Sequence, residues 1–242
     1  CLVGSEMCIR DRYKTGSRIN QPKGLVAEGF YNTWDEINDP DRPISKWEGN
    51  GLRPGDVKYK DITQDGIIDE DDMVNIGFPN VPEIVYGLSL GFEWKGFSVS
   101  ALFQGVDNVS TYLSGTAAWP FVSGTKVAFE TAKESWTQER YESGLPISLP
   151  RLSENPDAAN HNYKTSTLWQ QDASYIRLKN VEVAYQFKMR ETSPVKGLRV
   201  YVNGQNLVTW TKMPYFDPEM SDSSGNAYPM TRVINLGVNV QF

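Results

Sequence analysis

The stretch Ile234-Asn-Leu-Gly-Val-Asn-Val-Gln-Phe242 decides the fold class. Its apolar and polar residues alternate strictly, which in a β-strand places all the apolar side chains on one face. The opposite face holds only Asn, Gly and Gln and carries no charge, as suits a crowded polar interior. The apolar positions of this predicted strand are Ile234, Leu236, Val238, Val240 and Phe242.

Earlier stretches of the chain alternate in the same way and predict further strands. Two of them flank Trp94-Lys95-Gly96, where Gly suits the positive φ of a tight hairpin turn. In a later one the phase of the alternation slips near Lys179-Asn180, which indicates either a β-bulge or a misplaced strand boundary. The predicted strands cover residues 84–93, 97–105, 174–187, 197–209 and 230–242.

Connections between these strands alternate in length. Those before residue 84, over 107–172 and over 210–229 are long, whereas 94–96 and 188–196 are short. Outer-membrane barrels have long loops outside the cell and short turns in the periplasm. The pattern therefore predicts an all-β fold, an antiparallel transmembrane β-barrel fragment of the bacterial outer membrane. Its long loops would be extracellular and its C-terminus periplasmic.

A soluble antiparallel β-sandwich would alternate as well. The uncharged polar face of the last strand favours the membrane. So does Phe242, which with the apolar positions before it resembles the C-terminal signal read by the barrel insertion machinery. The alternative that stays open is a secreted β-sandwich carbohydrate-binding module with a calcium loop.

Composition narrows the class of function. The 242 residues include 24 Lys and Arg against 30 Asp and Glu, a net charge of −6, which argues against nucleic-acid binding. No run of about 20 apolar residues offers a helical membrane span. A mean hydropathy of −0.47 still fits a β-barrel, whose strands need apolar residues only at alternate positions.

The N-terminal region is predicted to be irregular. Residues 1–12 contain the two cysteines, Cys1 and Cys8, and resemble translated sequencing-adapter read-through, so we interpret them as non-native. Residues 13–83 are rich in Gly, Pro, Asp and Asn and predict an extracellular loop region with short extended pieces.

An acidic loop at residues 61–72 is the candidate binding motif. It has the spacing of an EF-hand-type calcium loop, with a glycine at the sixth position for the sharp turn. Thr at position 3 and Asp at position 12 depart from that pattern, so a solvated acidic turn without metal remains open. If bound, the Ca²⁺ would be structural. The possible ligands are Asp61, Thr63, Asp65, the Ile67 carbonyl, Asp69 and Asp72.

Catalysis is not indicated. The only histidine, His161, lies in a predicted loop, and no nucleophile is marked as having a base beside it. No catalytic residue and no organic cofactor is predicted. Aromatic residues of the long loops could stack on sugars, although packing within the loops is favoured: Trp119, Phe121, Trp136 and Trp169.

Several ordered stretches are similar to the SusC/RagA family of TonB-linked outer-membrane transporters. They include Pro54-Gly-Asp-Val-Lys-Tyr-Lys-Asp61, Tyr86-Gly-Leu-Ser-Leu90, Asp172-Ala-Ser-Tyr-Ile-Arg-Leu-Lys-Asn-Val181 and Arg199-Val-Tyr-Val-Asn-Gly-Gln-Asn-Leu207. Their order matches the end of that family's barrel.

The resemblance implies a barrel of about 22 strands with an N-terminal plug, of which this chain would be the C-terminal part. It also implies contact with TonB through the missing N-terminal part, a SusD-like surface lipoprotein as partner, and import of oligosaccharides or peptides. As a fragment, the chain would expose lipid-facing surface and unpaired strand edges.

Overall fold

The computed structural model describes residues 17–49, 51–115, 119–122, 129–153, 160–190, 192, 194–213, 215–220 and 228–242. The segment interpreted as non-native, 1–12, lies outside these residues. The chain divides into two compact units. One unit comprises the described parts of Cys1–Asn80 and Ser110–Gln171, and the other is built from Val81–Val109, Asp172–Met220 and Tyr228–Phe242.

The second unit is built around one antiparallel sheet of five strands. Its strands, in chain order, are β7 (Ile84–Trp94), β8 (Phe97–Asp107), β11 (Tyr175–Phe187), β12 (Gly197–Thr211) and β13 (Val233–Gln241). Their order across the sheet is β13-β12-β11-β8-β7. Against the predicted bounds, β12 extends to Thr211 instead of 209, and β13 begins at Val233 instead of 230.

The turn between β7 and β8 is a two-residue hairpin turn. Lys95 and Gly96 both have positive φ, 46° and 87°, which matches the twist of the flanking strands. Trp94 and Phe97 are cross-strand partners. The positive φ of Gly96 was predicted, and Lys95 has a positive φ as well.

A β-bulge interrupts β11, which decides between the two interpretations of the phase slip. The register of β11 shifts between Leu178 and Asn180 against both of its neighbours. The extra residue shifts the alternation of faces by one position between Leu178 and Asn180. Both halves of β11 therefore keep their apolar side chains on the same face of the sheet.

The first unit consists of short elements. Its strand pairs are β1 (Lys23–Gly24) with β6 (Val74–Asn75), β2 (Ala27–Phe30) with β4 (Val57–Tyr59), and β3 (Ile44–Ser45) with β5 (Ile67–Ile68). A further pair joins β9 (Ser110–Tyr112) and β10 (Gln170–Asp172). Its helices are α1 (Trp34–Ile37), α2 (Phe129–Glu134) and α3 (Gln138–Glu142), with 3₁₀ turns at Glu70–Asp72 and His161–Tyr163.

The interpretation of residues 13–83 as a loop region needs correction in one respect. The described part of this region has a core, with Leu25, Val57, Tyr59 and Ile68 packed together and a second cluster of Tyr31, Ile37 and Leu52. Strands of two to four residues are too short to show a hydrophobic period. Within the described part of 126–141 lie two short helices, α2 and α3.

His161 links separate segments of this core. It is 5% exposed, and its Nε2 donates to the Val57 carbonyl at 2.6 Å. Because a carbonyl only accepts, Nδ1 is left to accept from the Ser45 hydroxyl, 2.8 Å away. The next residue, Asn162, accepts from the Val57 N–H and donates to Asp56. Burial lowers the pKa of His161, so the neutral imidazole is the form that fits this site.

Acidification is expected to loosen this core. Below about pH 6.5 the unfolded imidazole takes up a proton that the buried one resists. The stability is therefore complete at neutral pH and declines as the pH falls. Hydrogen exchange of the peptides around Val57 and His161, corrected for intrinsic rates, measures the loss.

His161→Gln is the control for this prediction. The amide can still donate to the Val57 carbonyl, so the variant should lose about 1 kcal/mol but show no pH dependence of its own. An equally steep decline in the variant would assign the effect to other groups.

Candidate functional site

One face of the five-stranded sheet is apolar and exposed, and is called the apolar face below. Cross-strand register places its residues together, for example Leu90 beside Ala101, and Val202 between Val183 and Leu236. Leu236 is 74% exposed and Leu90 52%, far more than side chains in a protein interior. The face is formed mainly by Tyr86, Leu88, Leu90, Phe92, Trp94, Phe97, Val99, Val183, Tyr185, Phe187, Val202, Val208, Trp210, Ile234, Leu236, Val238 and Val240.

The opposite face, called the polar face, carries small and hydrophilic side chains. Asn235 donates to Asn203 at 2.9 Å, and Arg199 pairs with Glu182 at 2.5 Å. Within the described residues, β7 and β13 each have a strand partner along one edge only. An exposed apolar face, a polar face and two open edges together define a piece of membrane β-barrel wall. A β-sandwich would require a second sheet over the apolar face, and that face is exposed.

A buried arginine anchors the connection after β12 to the polar face. Arg177 is 1% exposed and pairs with Asp217 at 2.6 Å and with Glu219 at 3.0 Å. On the same strand, the Tyr175 hydroxyl donates to Glu219 at 2.5 Å, and Lys179 lies 3.2 Å from it. A buried guanidinium stays charged, so both carboxylates are needed to offset its desolvation.

The sequence contains a signal for this network. Arg177 stands between the apolar residues Ile176 and Leu178. In a strand with one face toward lipid, a charged side chain fits only if it points to the other face. The bulge at Lys179 is what turns it inward, opposite Gln104 and Thr209.

The acidic loop is held together by its own carboxylates. Asp61 accepts from the backbone N–H groups of Gln64 and Gly66 at 2.6 and 2.9 Å. Asp65 accepts from the N–H of Ile67 at 2.9 Å. Gly66, the sixth position, has φ of 81°, which the sharp turn requires.

Asp72, the twelfth position, is fully buried and faces the backbone. Its oxygens accept from the N–H groups of Ile62, Thr63 and Asp69 at 2.8 to 3.0 Å. Although burial alone would raise it, the pKa of Asp72 is lowered because these hydrogen bonds favour the carboxylate. Asp69 caps the 3₁₀ turn by accepting from the Asp71 N–H.

These six candidate ligands are neighbours in the fold but are not gathered around one point. Among the described residues, no three His, Cys, Asp or Glu side chains lie close enough together to hold a metal ion. The Thr63 hydroxyl donates to Asp61 and Asp72, at 3.3 and 3.2 Å. The backbone of the loop thus turns as in a calcium loop, but its carboxylates accept hydrogen bonds from backbone N–H groups.

The loop aromatics mostly pack within their own unit. Trp136 and Trp169 are 8% and 5% exposed, and Trp136 donates to the Asn32 side chain. Tyr163 stacks on Trp169 with ring centroids 5.6 Å apart and also contacts Trp119 at 4.9 Å. Trp136 and Trp169 are therefore packing residues and not exposed sugar platforms.

His161 and Ser45 form a base–hydroxyl contact that the sequence did not indicate. Nucleophilic catalysis uses such a pair, but it also needs access for a substrate and a group that orients the base. Both side chains here are about 5% exposed or less, and the second ring nitrogen binds a backbone carbonyl. The contact is a structural one.

Comparison with known proteins identifies the wall more closely. No protein-family model matches the chain. TonB-dependent receptor P26 of Formosa agariphila is 30% identical over 231 residues, covering 88% of this chain. TonB-dependent receptor P3 of the same organism is 25% identical and covers 78% of it.

Solved structures agree on the fold. Chains of the RagAB peptide importer in its open-open state and of the RagAB peptide transporter align with TM-scores of 0.64 and 0.62, each at 22% identity over 92% of this chain. The chain is thus similar in sequence to a segment of TonB-dependent receptors and shares the fold of part of the RagAB chains, which confirms the predicted resemblance to the C-terminal part of a SusC/RagA-type barrel. It spans only 22% and 19% of the length of the two curated relatives.

Among the described residues, no helix is both long and apolar enough to cross a membrane.

Removing the buried guanidinium should free the connection it holds. Arg177→Met leaves Asp217 and Glu219 without their main partner, and breaking a buried ion pair costs about 3–5 kcal/mol. Hydrogen exchange over residues 212, 213 and 215–220 of the folded protein is expected to accelerate accordingly.

Lys212→Gln is the matched control, because its pair with Asp172 is long, 3.5 Å, and the Lys212 side chain is 86% exposed. Exposed pairs contribute less than about 1 kcal/mol. Equal effects of the two substitutions would show that the Arg177 network does not anchor this segment.

Proposed function

We propose that the chain forms part of the wall of an outer-membrane transporter. The observation that carries the proposal is the continuous apolar face. Strands of 9 to 15 residues match or exceed the roughly 9–11 residues that a tilted transmembrane strand needs. With the apolar face toward lipid, the long connections lie outside the cell and the short turns lie in the periplasm.

The cargo proposed for this transporter is a peptide or an oligosaccharide, taken up with a SusD-like lipoprotein and with energy supplied through TonB. Support comes from the relatives, which are named TonB-dependent receptors, and from the structural neighbour, which is named a peptide importer. The polar face would line the lumen, where hydrophilic cargo is accommodated. We propose no catalytic role for the chain.

A lysine on the apolar face tests the membrane placement. Leu236→Lys is expected to destabilise the folded receptor by about 2–4 kcal/mol, since a charge would face hydrocarbon. Urea titration in lipid vesicles, followed by heat-modifiable gel migration, measures the change.

Asn235→Lys is the control, at the preceding residue, whose side chain lies on the polar face. It should lose little more than the hydrogen bond to Asn203, about 1 kcal/mol. A tolerated Leu236→Lys together with a receptor that fractionates with soluble proteins would refute the placement.

We also propose that the acidic loop binds Ca²⁺ as a structural ion on the extracellular side. The ligand-type spacing and the preformed turn at Gly66 support this. Binding requires the carboxylates, Asp72 above all, to exchange backbone N–H partners for the ion. Because of that exchange we expect weak binding, with a Kd of about 10⁻⁴–10⁻³ M, as in the calcium sites of extracellular modules.

Calorimetric titration of the receptor with Ca²⁺ tests this proposal. Asp61→Asn should weaken binding at least about tenfold, because the first ligand loses its charge. Asp71→Asn removes the same charge from the same loop at a position outside the ligand set, and should change the affinity little. An absence of heat at millimolar Ca²⁺ would rule out the site.

A further inference from the structure

The short-turn end of the sheet combines exposed aromatic rings with basic side chains. β7, β11 and β13 end here, and β8 and β12 begin here. We call this end the basic rim and define it by residues 93–97 and by the described part of 187–197, which leaves out residues 191 and 193. Trp94 is 61% exposed and Phe187 41%, and both belong to the apolar face.

The charge of the basic rim contrasts with that of the opposite end. Residues 93–97 and 187–197 of the sequence contain four basic residues, Lys95, Lys188, Arg190 and Lys196, and two acidic ones. By sequence, the long connections that join the other ends of these strands, 107–172 and 210–229, together contain six basic and eleven acidic residues. The positive charge therefore collects where the apolar face ends in short turns.

Lys95 lies beside an exposed aromatic ring of the apolar face. Its Nζ lies 4.9 Å from the centroid of the Trp94 ring. The turn is held in place because the Gln186 N–H donates to the Gly96 carbonyl at 2.7 Å. At a membrane interface, Trp occupies the headgroup level, and a lysine beside it reaches lipid phosphate.

We infer that the basic rim binds the headgroups of anionic phospholipids in the leaflet that faces the short turns. The exposed aromatic rings provide the apolar part of the contact, and Lys95, Lys188 and Arg190 provide charge complementarity. A zwitterionic headgroup carries its own ammonium and satisfies these cations less well. The inference rests on the proposed membrane placement and adds to it which lipid class is recognised, and where.

Photo-crosslinking locates such a contact. The receptor that contains this chain is reconstituted in bilayers that carry a photoactivatable analogue of either phosphatidylglycerol or phosphatidylethanolamine. Crosslinked peptides are then quantified by mass spectrometry. Peptides of the basic rim should be labelled several-fold more by the phosphatidylglycerol analogue. Lys95→Gln should reduce this preference about fivefold, and the triple Gln variant at Lys95, Lys188 and Arg190 should abolish it.

Lys212→Gln removes an exposed lysine from the opposite end of the sheet and should leave the preference unchanged. Heat-modifiable migration verifies that each variant is folded, and the single variant suffices if the triple one does not fold. Equal labelling of the basic rim by the two analogues in the unchanged receptor would overturn the inference while leaving the membrane placement intact. Labelling by neither analogue, anywhere on the apolar face, would overturn the placement itself.

Discussion

Hydrogen bonding of the backbone in a medium without water is the constraint on which this structure depends. Each strand of the sheet must find a neighbour for its N–H and C=O groups, since an unpaired group in hydrocarbon costs several kcal/mol. The ladder from β7 to β13 meets that need through the middle of the sheet, and its two open edges are where further strands of a receptor barrel would add. Once the backbone is paired, the side chains need only alternate, which explains why a chain with a mean hydropathy of −0.47 can present so extensive an apolar face.

The second unit was largely predictable because period-two alternation over nine or more residues is a strong signal. Ile234 to Phe242 indicated both faces of its strand, and the phase slip at Lys179 indicated the bulge. The first unit was not predictable in the same way. Its core joins Leu25, Val57 and Ile68 from strands too short to show a period, and contacts such as that between Ser45 and His161 bring together residues far apart in sequence. The spacing of the acidic loop predicted its turn correctly, but spacing carries no information on where Asp72 directs its oxygens.

Each unit has a buried polar centre that fixes a long connection in place. In the first unit, the neutral imidazole of His161 and the amide of Asn162 satisfy backbone groups of β4. In the second, the charged guanidinium of Arg177 holds two carboxylates of the connection after β12. Long loops bury little apolar surface, so directional polar contacts are an economical way to fix their position. Acid acts on the first of these centres, because burial lowers the pKa of His161 and protonation therefore favours the unfolded chain.

The bulge in β11 also limits how this segment can change during evolution. If the strand were to pair without the bulge while keeping all its residues, the part before Lys179 would turn to the opposite face, which would bring Arg177 to the lipid side and move Ile176 to the lumen. Insertions and deletions should therefore be tolerated in the connections but selected against within this strand. A deletion at the bulge itself is the exception, since the strand would regain regular alternation with Arg177 still facing the lumen.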